Sequence, residues 1–360
     1  MKHEQLDLFG ELGFAKQSTN QLQRFGKLKF SIGSTGYDSP FNWAVKDLIP
    51  ALGFGVIYGP SGSLKSFLAI DLCCSIASGK SWLGKTTTSG PVVYVAAEGQ
   101  LGVSRRIKAW ELANETTADN VFVLPQNMFI SERNAQDELI EAIQEIEAFT
   151  QQKVQLVVID TLSRCFIGDE NTSRDMTSFI QGCDRVKAET QSGVLCIHHC
   201  GRDESKGARG SSALRAACDY EFQTKRNGKT KLLKFVNTKQ KEGEEAPDLE
   251  LEFDTVELGL TCEDNKPITS LARLKEPTIK NTMEAEPDHP ILKILGETFG
   301  GRAKRVDLRQ AIYPTDSKPT AAQRKSLSRS IAKLQESGRI SVEQESPSRA
   351  SDKDIISLAH

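Results

Sequence analysis

The sequence lacks any apolar run approaching the roughly 18 residues that a membrane-spanning helix requires, so no bilayer span and no membrane partner are expected. Its first residues, Met1-Lys2-His3-Glu4-Gln5, carry no apolar h-region, so no secretory signal is expected. Net charge is nearly absent: 46 Lys and Arg stand against 48 Asp and Glu, for −2. That excludes a chain coated in basic residues along its length for nucleic acid. None of the eight cysteines forms a Cys-x-x-Cys pair, and Cys73, Cys74, Cys165 and Cys196 sit inside apolar segments. Reduced thiols in a cytoplasmic protein are the expectation, not a disulfide frame. Cys196-Ile-His-His-Cys200 has poor ligand spacing for zinc and reads as an apolar strand running into a loop. No internal repeat is present.

What is there suits a globular protein. The chain has 360 residues, 38% hydrophobic and 26% charged, a length for roughly two domains. Residues 1–40 are polar and rich in Gly and Ser, which predicts a tail. Over residues 41–262 apolar strand-like runs alternate with helical stretches. The runs are Gly53–Tyr58, Val92–Ala97, Val121–Leu124, Leu156–Ile159, Val194–His198 and Leu232–Val236. The helical stretches include Lys65–Ala77, Ala135–Phe149 and Asp175–Thr190. Near-continuous apolar strands between helices predict an α/β domain whose mostly parallel sheet is buried on both faces. Residues 263–289 are polar, contain Pro267, Pro277 and Pro287, and read as a linker. Residues 290–360 predict three helices and a strand pair, the plan of a winged helix. Residues 287–360 carry 13 Lys and Arg against 9 Asp and Glu, so a small basic domain follows an acidic body.

Gly59-Pro-Ser-Gly-Ser-Leu-Lys-Ser66 follows a strand and opens a helix, the context of a phosphate-binding loop. Backbone N–H groups around Gly59, Gly62 and Ser63 would wrap the phosphates of ATP. Lys65 would reach the β- and γ-phosphates, and the Ser66 hydroxyl would ligate Mg²⁺. The glycine usual before the lysine is Leu64 here, so either Leu64 tolerates the loop's backbone angles or the loop differs. About 90 residues on, Gln155-Leu-Val-Val-Ile-Asp160 is an apolar strand ending in an acid. Asp160 would hold Mg²⁺ through water. Val92-Val-Tyr-Val-Ala-Ala-Glu98-Gly99 is a second such strand. Thr161 follows Asp160, so the base that activates water must come from elsewhere, and Glu98 fits.

These motifs together resemble the RecA-type hexameric helicases, and within them the RepA-like plasmid and phage replicative helicases among the AAA ATPases. The resemblance covers roughly residues 43–256. It adds Arg105-Arg106, the stretch from Cys196 to Asp219 with its Lys-Gly-Ala-Arg-Gly-Ser-Ser core, and Asn237 to Glu245. It implies a RecA-like core that assembles into rings and hydrolyses ATP between subunits. It places a γ-phosphate sensor at the end of the His198-His199 strand, with His199 favoured as nearer the loop. It turns the following loop toward a central channel, where Lys206, Arg209, Ser211 and Ser212 would meet single-stranded DNA. It makes Lys239 and Lys241 the basic pair that reaches the neighbour's nucleotide like an arginine finger, with lysine serving because no arginine stands here.

Two further features lie outside the core. Gln5-Leu6-Asp7-Leu8-Phe9 resembles the peptide by which bacterial proteins dock on the sliding clamp of the replicative polymerase. Leu6, Leu8 and Phe9 would supply the apolar contacts and Gln5 a polar one at the pocket's edge. In the C-terminal module Arg324, Lys325, Arg329 and Lys333 recur at helical spacing, suited to DNA phosphates. Two functions follow as expectations. One is a DNA helicase or translocase driven by ATP in replication of a plasmid, phage or mobile element. The other is an ATP-gated adaptor that recruits the clamp or replication proteins without unwinding. A recombination mediator or KaiC-like regulatory ATPase with no DNA role is a third reading, which the basic loop and the winged helix disfavour.

Overall fold

The computed structural model describes residues 23–201, 207–226, 228, 230–279, 289–314, 320–336, 338–344 and 351–359. The chain divides into two compact units, 1–279 and 280–360. In the first, the elements run β1 (Gln23–Phe25), β2 (Leu28–Phe30), β3 (Trp43–Val45), β4 (Ile49–Pro50), β5 (Phe54–Gly59), α1 (Lys65–Ser78), β6 (Val92–Ala96) and α2 (Gln100–Asn114). They continue as β7 (Val121–Leu124), α3 (Arg133–Thr150), β8 (Leu156–Asp160), α4 (Ser173–Thr190), β9 (Gly193–His199), α5 (Ser212–Ala217) and β10 (Tyr220–Arg226). The unit closes with β11 (Leu232–Gln240), β12 (Leu249–Thr261), β13 (Pro267–Arg273) and β14 (Thr278–Ile279).

Nine strands lie in the order β13-β12-β11-β10-β5-β9-β8-β6-β7, and β14 adds beside β12. From β10 to β7 all neighbours are parallel. From β10 outward through β13 they are antiparallel. The central strands are buried on both faces because helices cover both. Leu156 and Val158 of β8 pack on one side with Leu68 and Leu72 of α1, while Val157 and Ile159 pack on the other with Phe179 and Cys183 of α4. Helix α1 is apolar nearly all round and correspondingly buried, as a helix enclosed by its domain should be. Helix α4 buries one stripe, Met176, Phe179, Ile180 and Cys183, and the Thr172 side chain caps it by accepting from the Asp175 N–H. This is the expected RecA-like P-loop fold.

The polar, proline-containing stretch expected as a linker is different. Residues Pro267–Arg273 form β13 against β12, and Thr278–Ile279 pair with Leu249 and Glu250. The ribbon clusters Val256, Leu258, Ile268 and Ala272 with Ala109 and Ala113 of α2, and Pro267 and Thr269 are exposed, so its sequence carries no long apolar run. The expected tail likewise holds structure from residue 23: β1 and β2 form a hairpin that exposes Phe25, Leu28 and Phe30.

The second unit comprises α6 (Pro290–Phe299), β15 (Arg302–Lys304), α7 (Arg305–Ile312), α8 (Ala321–Glu336), β16 (Ile340–Glu343) and β17 (Ile355–Leu358). The strands order as β15-β17-β16. Three helices and a β-wing are the winged-helix arrangement. Ile291, Leu295, Leu308, Leu327, Ile331 and Ile356 form its core. A buried Arg305 guanidinium donates to Asp354 at 3.3 Å and to Ser328 at 2.9 Å, tying wing to helices.

Candidate active site

Four adjacent parallel strands, β5, β9, β8 and β6, deliver their carboxyl ends to one place. Ligands of open α/β sheets bind at that edge. Gly59 ends β5 level with His199 at the end of β9. Asp160 ends β8 opposite Ala96, two residues before Glu98. The N–H groups of Ala97 and Glu98 both donate to the Asp160 carbonyl, at 2.8 and 3.1 Å, which fixes the Glu98 backbone beside β8. The Glu98 side chain is exposed and accepts from the Thr161 hydroxyl at 3.2 Å.

The phosphate loop spans Pro60 to Leu64. Gly62 takes a φ of 77°, and Leu64, directly before α1, takes φ 61° and ψ 18°. The left-handed conformation that glycine would adopt freely is thus held by a leucine, whose side chain is buried. Gly59 has no room for a Cβ because Thr224 of β10 lies directly against it. Ser63 and Thr224 share a hydroxyl–hydroxyl bond of 2.9 Å, and Arg226 Nη1 donates to the Gly62 carbonyl at 3.0 Å. The loop is therefore braced from the neighbouring strand β10. Lys65 folds back and donates to the Gly59 and Pro60 carbonyls at 3.0 and 2.7 Å. Burial lowers its pKa, and the Asp160 carboxylate opposes that shift.

Asp160 is buried, and burial raises its pKa. Tyr94 donates its hydroxyl to Oδ2. The Ser66 hydroxyl and the Arg106 guanidinium lie close enough to favour the ionised form. Oδ1 is buried and has no hydrogen-bond partner. A hydroxyl and a carboxylate with one orphaned oxygen are hard donors that fit Mg²⁺. His199 is half-buried, and its pKa is lowered by burial and then by the Lys65 ammonium, with Glu98 and Asp160 acting against both. Lys65, Ser66, Asp160, Glu98 and His199 thus share one electrostatic neighbourhood. Arg106 completes its wall, stacked 4.7 Å over the Phe67 ring.

His198 points elsewhere. It is fully buried, its Nε2–H donates to the Arg209 carbonyl at 2.9 Å, and burial pushes its pKa down to about 4. Arg209 donates its own N–H to the His199 carbonyl, while its guanidinium meets Glu170 at 2.6 Å and the Ser163 hydroxyl at 3.1 Å. Ser211 serves as the N-cap of α5, accepting from the Ala213 N–H, and pairs with Ser173. Arg209 and Ser211, two of the residues expected at DNA, are therefore engaged within the chain, while Ser212, the first residue of α5, is exposed. Lys206 and the docking-peptide residues Gln5, Leu6, Leu8 and Phe9 lie outside the described residues.

Lys239 and Lys241 do not join the Lys65 site. Lys239 pairs with Glu221, itself level with Val56, and Lys241 lies by Asp219 at the start of β10. Lys239 donates to the Arg215 and Ala216 carbonyls at the end of α5, and Lys241 to Asp219 at 2.9 Å. In the second unit Arg324, Lys325 and Arg329 are exposed on α8, opposite its buried Leu327 and Ile331.

Tyr94, Arg106, Thr224 and Arg226 belong to the site, yet sequence reasoning gave them no role. Tyr94 left one signal: it is the only hydroxyl in the buried run Val92–Ala96, and a buried phenol needs an acceptor.

A phosphate loop after a central strand, an acid at the end of a second and another just beyond a third define a P-loop ATPase of RecA-like fold. Residues 21–205 match a family described as AAA domain, and the chain belongs to that family. Among solved structures it is similar to the RadB recombinase, at 17% identity over 56% of this chain and 87% of that one, with a TM-score of 0.42. It is also similar to a DnaB-like replicative helicase described with its interactions with primase, at 12% identity, 57% of this chain, 56% of that chain and a TM-score of 0.45. Among the described residues no helix is long and apolar enough to cross a membrane.

Proposed function

We propose that this ATPase is a translocase or helicase of RepA-like type on single-stranded DNA. It serves the replication of a plasmid, phage or mobile element and works as a homo-oligomeric, hexameric ring. The observation that supports this reading is the wiring behind His199. The Arg209 N–H donates to the His199 carbonyl and the neighbouring His198 ring donates to the Arg209 carbonyl, which joins the nucleotide edge to the basic loop.

In this reading Lys65 exchanges its two carbonyl partners for β- and γ-phosphate oxygens. Ser66 and Asp160 would hold Mg²⁺, which neutralises phosphate charge when bound. Glu98 accepts the proton of the attacking water. His199 bonds the γ-phosphate and reports its loss to the loop. Lys206, Arg209 and Ser211 contact the DNA backbone, Arg324, Lys325 and Arg329 add a second basic surface, and Lys239 and Lys241 act on a neighbour's nucleotide. The Gln5–Phe9 segment tethers the ring to the sliding clamp. That segment also favours the second reading, an ATP-gated adaptor that recruits the clamp and unwinds nothing.

ATP hydrolysis with and without single-stranded DNA, beside strand displacement from a forked duplex, separates the two. DNA-stimulated hydrolysis with displacement supports the motor; ATP binding without displacement supports the adaptor. Lys65→Ala abolishes hydrolysis, and Glu98→Gln keeps nucleotide binding while stopping turnover. Turnover by Lys65→Ala would overturn the ATPase site itself.

A further inference from the structure

Tyr94 is fully buried in the middle of β6, level with Val158 of β8. Its ring runs up the α1 face of the sheet, and the hydroxyl reaches Asp160 two residues further on. The strand around it is otherwise valine and alanine. A phenylalanine would fill the same volume without burying a hydroxyl, so packing alone does not account for a tyrosine. The phenol's partner is a carboxylate, which makes the bond a strong, charge-assisted one.

The effect is to make the two oxygens of Asp160 unequal. Oδ2 is occupied, and Oδ1 is buried and unpartnered. A carboxylate's terminal torsion is broad and nearly two-fold, so its oxygens exchange unless something pins one of them. We propose that Tyr94 is a positioning residue for the divalent cation of the ATPase site: its hydroxyl holds Oδ2 of Asp160 so that Oδ1 stays turned toward the Ser66 side and the cation's water. The inference rests on the ATPase reading of Lys65, Ser66 and Asp160. Tyr94 itself touches neither metal nor nucleotide.

Residues that orient a metal's ligands typically change metal affinity 10–100-fold when lost. Asp160 acts through water, so the lower end applies. The test is binding of a fluorescent, non-hydrolysable ATP analogue by the full chain, titrated with Mg²⁺ and repeated in EDTA. Tyr94→Phe should raise the Mg²⁺ concentration for half-maximal binding about tenfold and leave binding in EDTA at the wild-type level. In an Asp160→Asn background, Tyr94→Phe should add no further shift, because the oriented group is gone. An unchanged Mg²⁺ midpoint overturns the inference. So does an equal loss of binding in EDTA and Mg²⁺, or a full additional shift in the Asp160→Asn background. Lys65→Ala is measured alongside. If it binds the analogue like wild type, the phosphate-loop reading fails; if it loses binding while Tyr94→Phe keeps its Mg²⁺ midpoint, only the role of Tyr94 fails.

Discussion

Asp71, in the middle of α1, is the most consequential buried charge away from the nucleotide. Its carboxylate accepts from the indole N–H of Trp82 at 2.9 Å, the indole N–H of Trp110 at 3.0 Å and Arg273 Nε at 2.9 Å. The Arg273 and Asp71 side chains are only 9% and 3% exposed, so water cannot replace the pairing cheaply. Asp71→Ala strands a buried cation, which costs about 3–5 kcal/mol. It also orphans two indole donors, at about 1–3 kcal/mol each. Arg273 Nη1 keeps the Lys275 carbonyl and the new space admits water, so the low end of the combined cost applies, about 5 kcal/mol. For a unit of this size each kcal/mol moves the midpoint by about 2–4 °C, which gives a fall of roughly 10–20 °C in scanning calorimetry. The matched change Asp71→Leu with Arg273→Met removes both charges and should recover part of the loss, because the desolvation cost disappears with the pair. A fall under about 3 °C for Asp71→Ala, or a double variant that equals the sum of its singles, would refute the argument.

Three further outcomes follow from the site. Leu64→Gly relieves a left-handed leucine, worth about 1–2 kcal/mol, but empties a buried leucine site, worth about 2–5; denaturant titration should show a net loss of about 1–2 kcal/mol, and a gain would mean that strain dominates. Glu170→Gln frees the Arg209 guanidinium from a partly exposed ion pair worth up to about 1 kcal/mol, so anisotropy titrations should show single-stranded DNA binding two- to fivefold tighter; weaker binding would remove Arg209 from the DNA surface. His198 is neutral when folded, with a pKa of about 4 against about 6.5 unfolded, so the unfolded chain binds the extra proton. Its stabilisation is complete above about pH 6.5 and is lost as pH falls toward 4, although the facing Glu170 carboxylate and the Arg209 carbonyl oppose the shift while the Arg209 guanidinium and His199 reinforce it. Thermal midpoints of His198→Gln should therefore fall less steeply than wild type over that window, and parallel curves would place the slope elsewhere.

The parallel half of the sheet was legible because burial on both faces leaves an unbroken apolar signature. Strands β5 to β9 lie within a few residues of where their sequences point. The antiparallel half was not. Pro267–Arg273 fully buries only Ala272, and its partner is set by register with β12, a long-range fact that composition does not carry. Helix α2 buries only Val103, Ala109 and Trp110, too few for a clear stripe. Within the site the polar residues announce themselves: Glu98, Asp160 and His199 stand at or just past the ends of apolar strands, and Lys65 and Ser66 open a helix after a Gly-containing loop. The residues that hold them, Tyr94 inside a strand and Thr224 and Arg226 on β10, resemble ordinary core and surface positions until the sheet order makes them neighbours.

The Asp71 cluster also gives the protein an optical readout. Two of its three tryptophans, Trp82 and Trp110, donate to one carboxylate. Trp110 rides on α2, which begins two residues after Glu98, and Asp71 rides on α1, which begins at Lys65. Indole emission responds to a neighbouring charge and to its hydrogen bond. Emission from Trp110 therefore responds to the spacing of these two helices, and with it to the separation of the phosphate loop from the Glu98 edge, with no added dye.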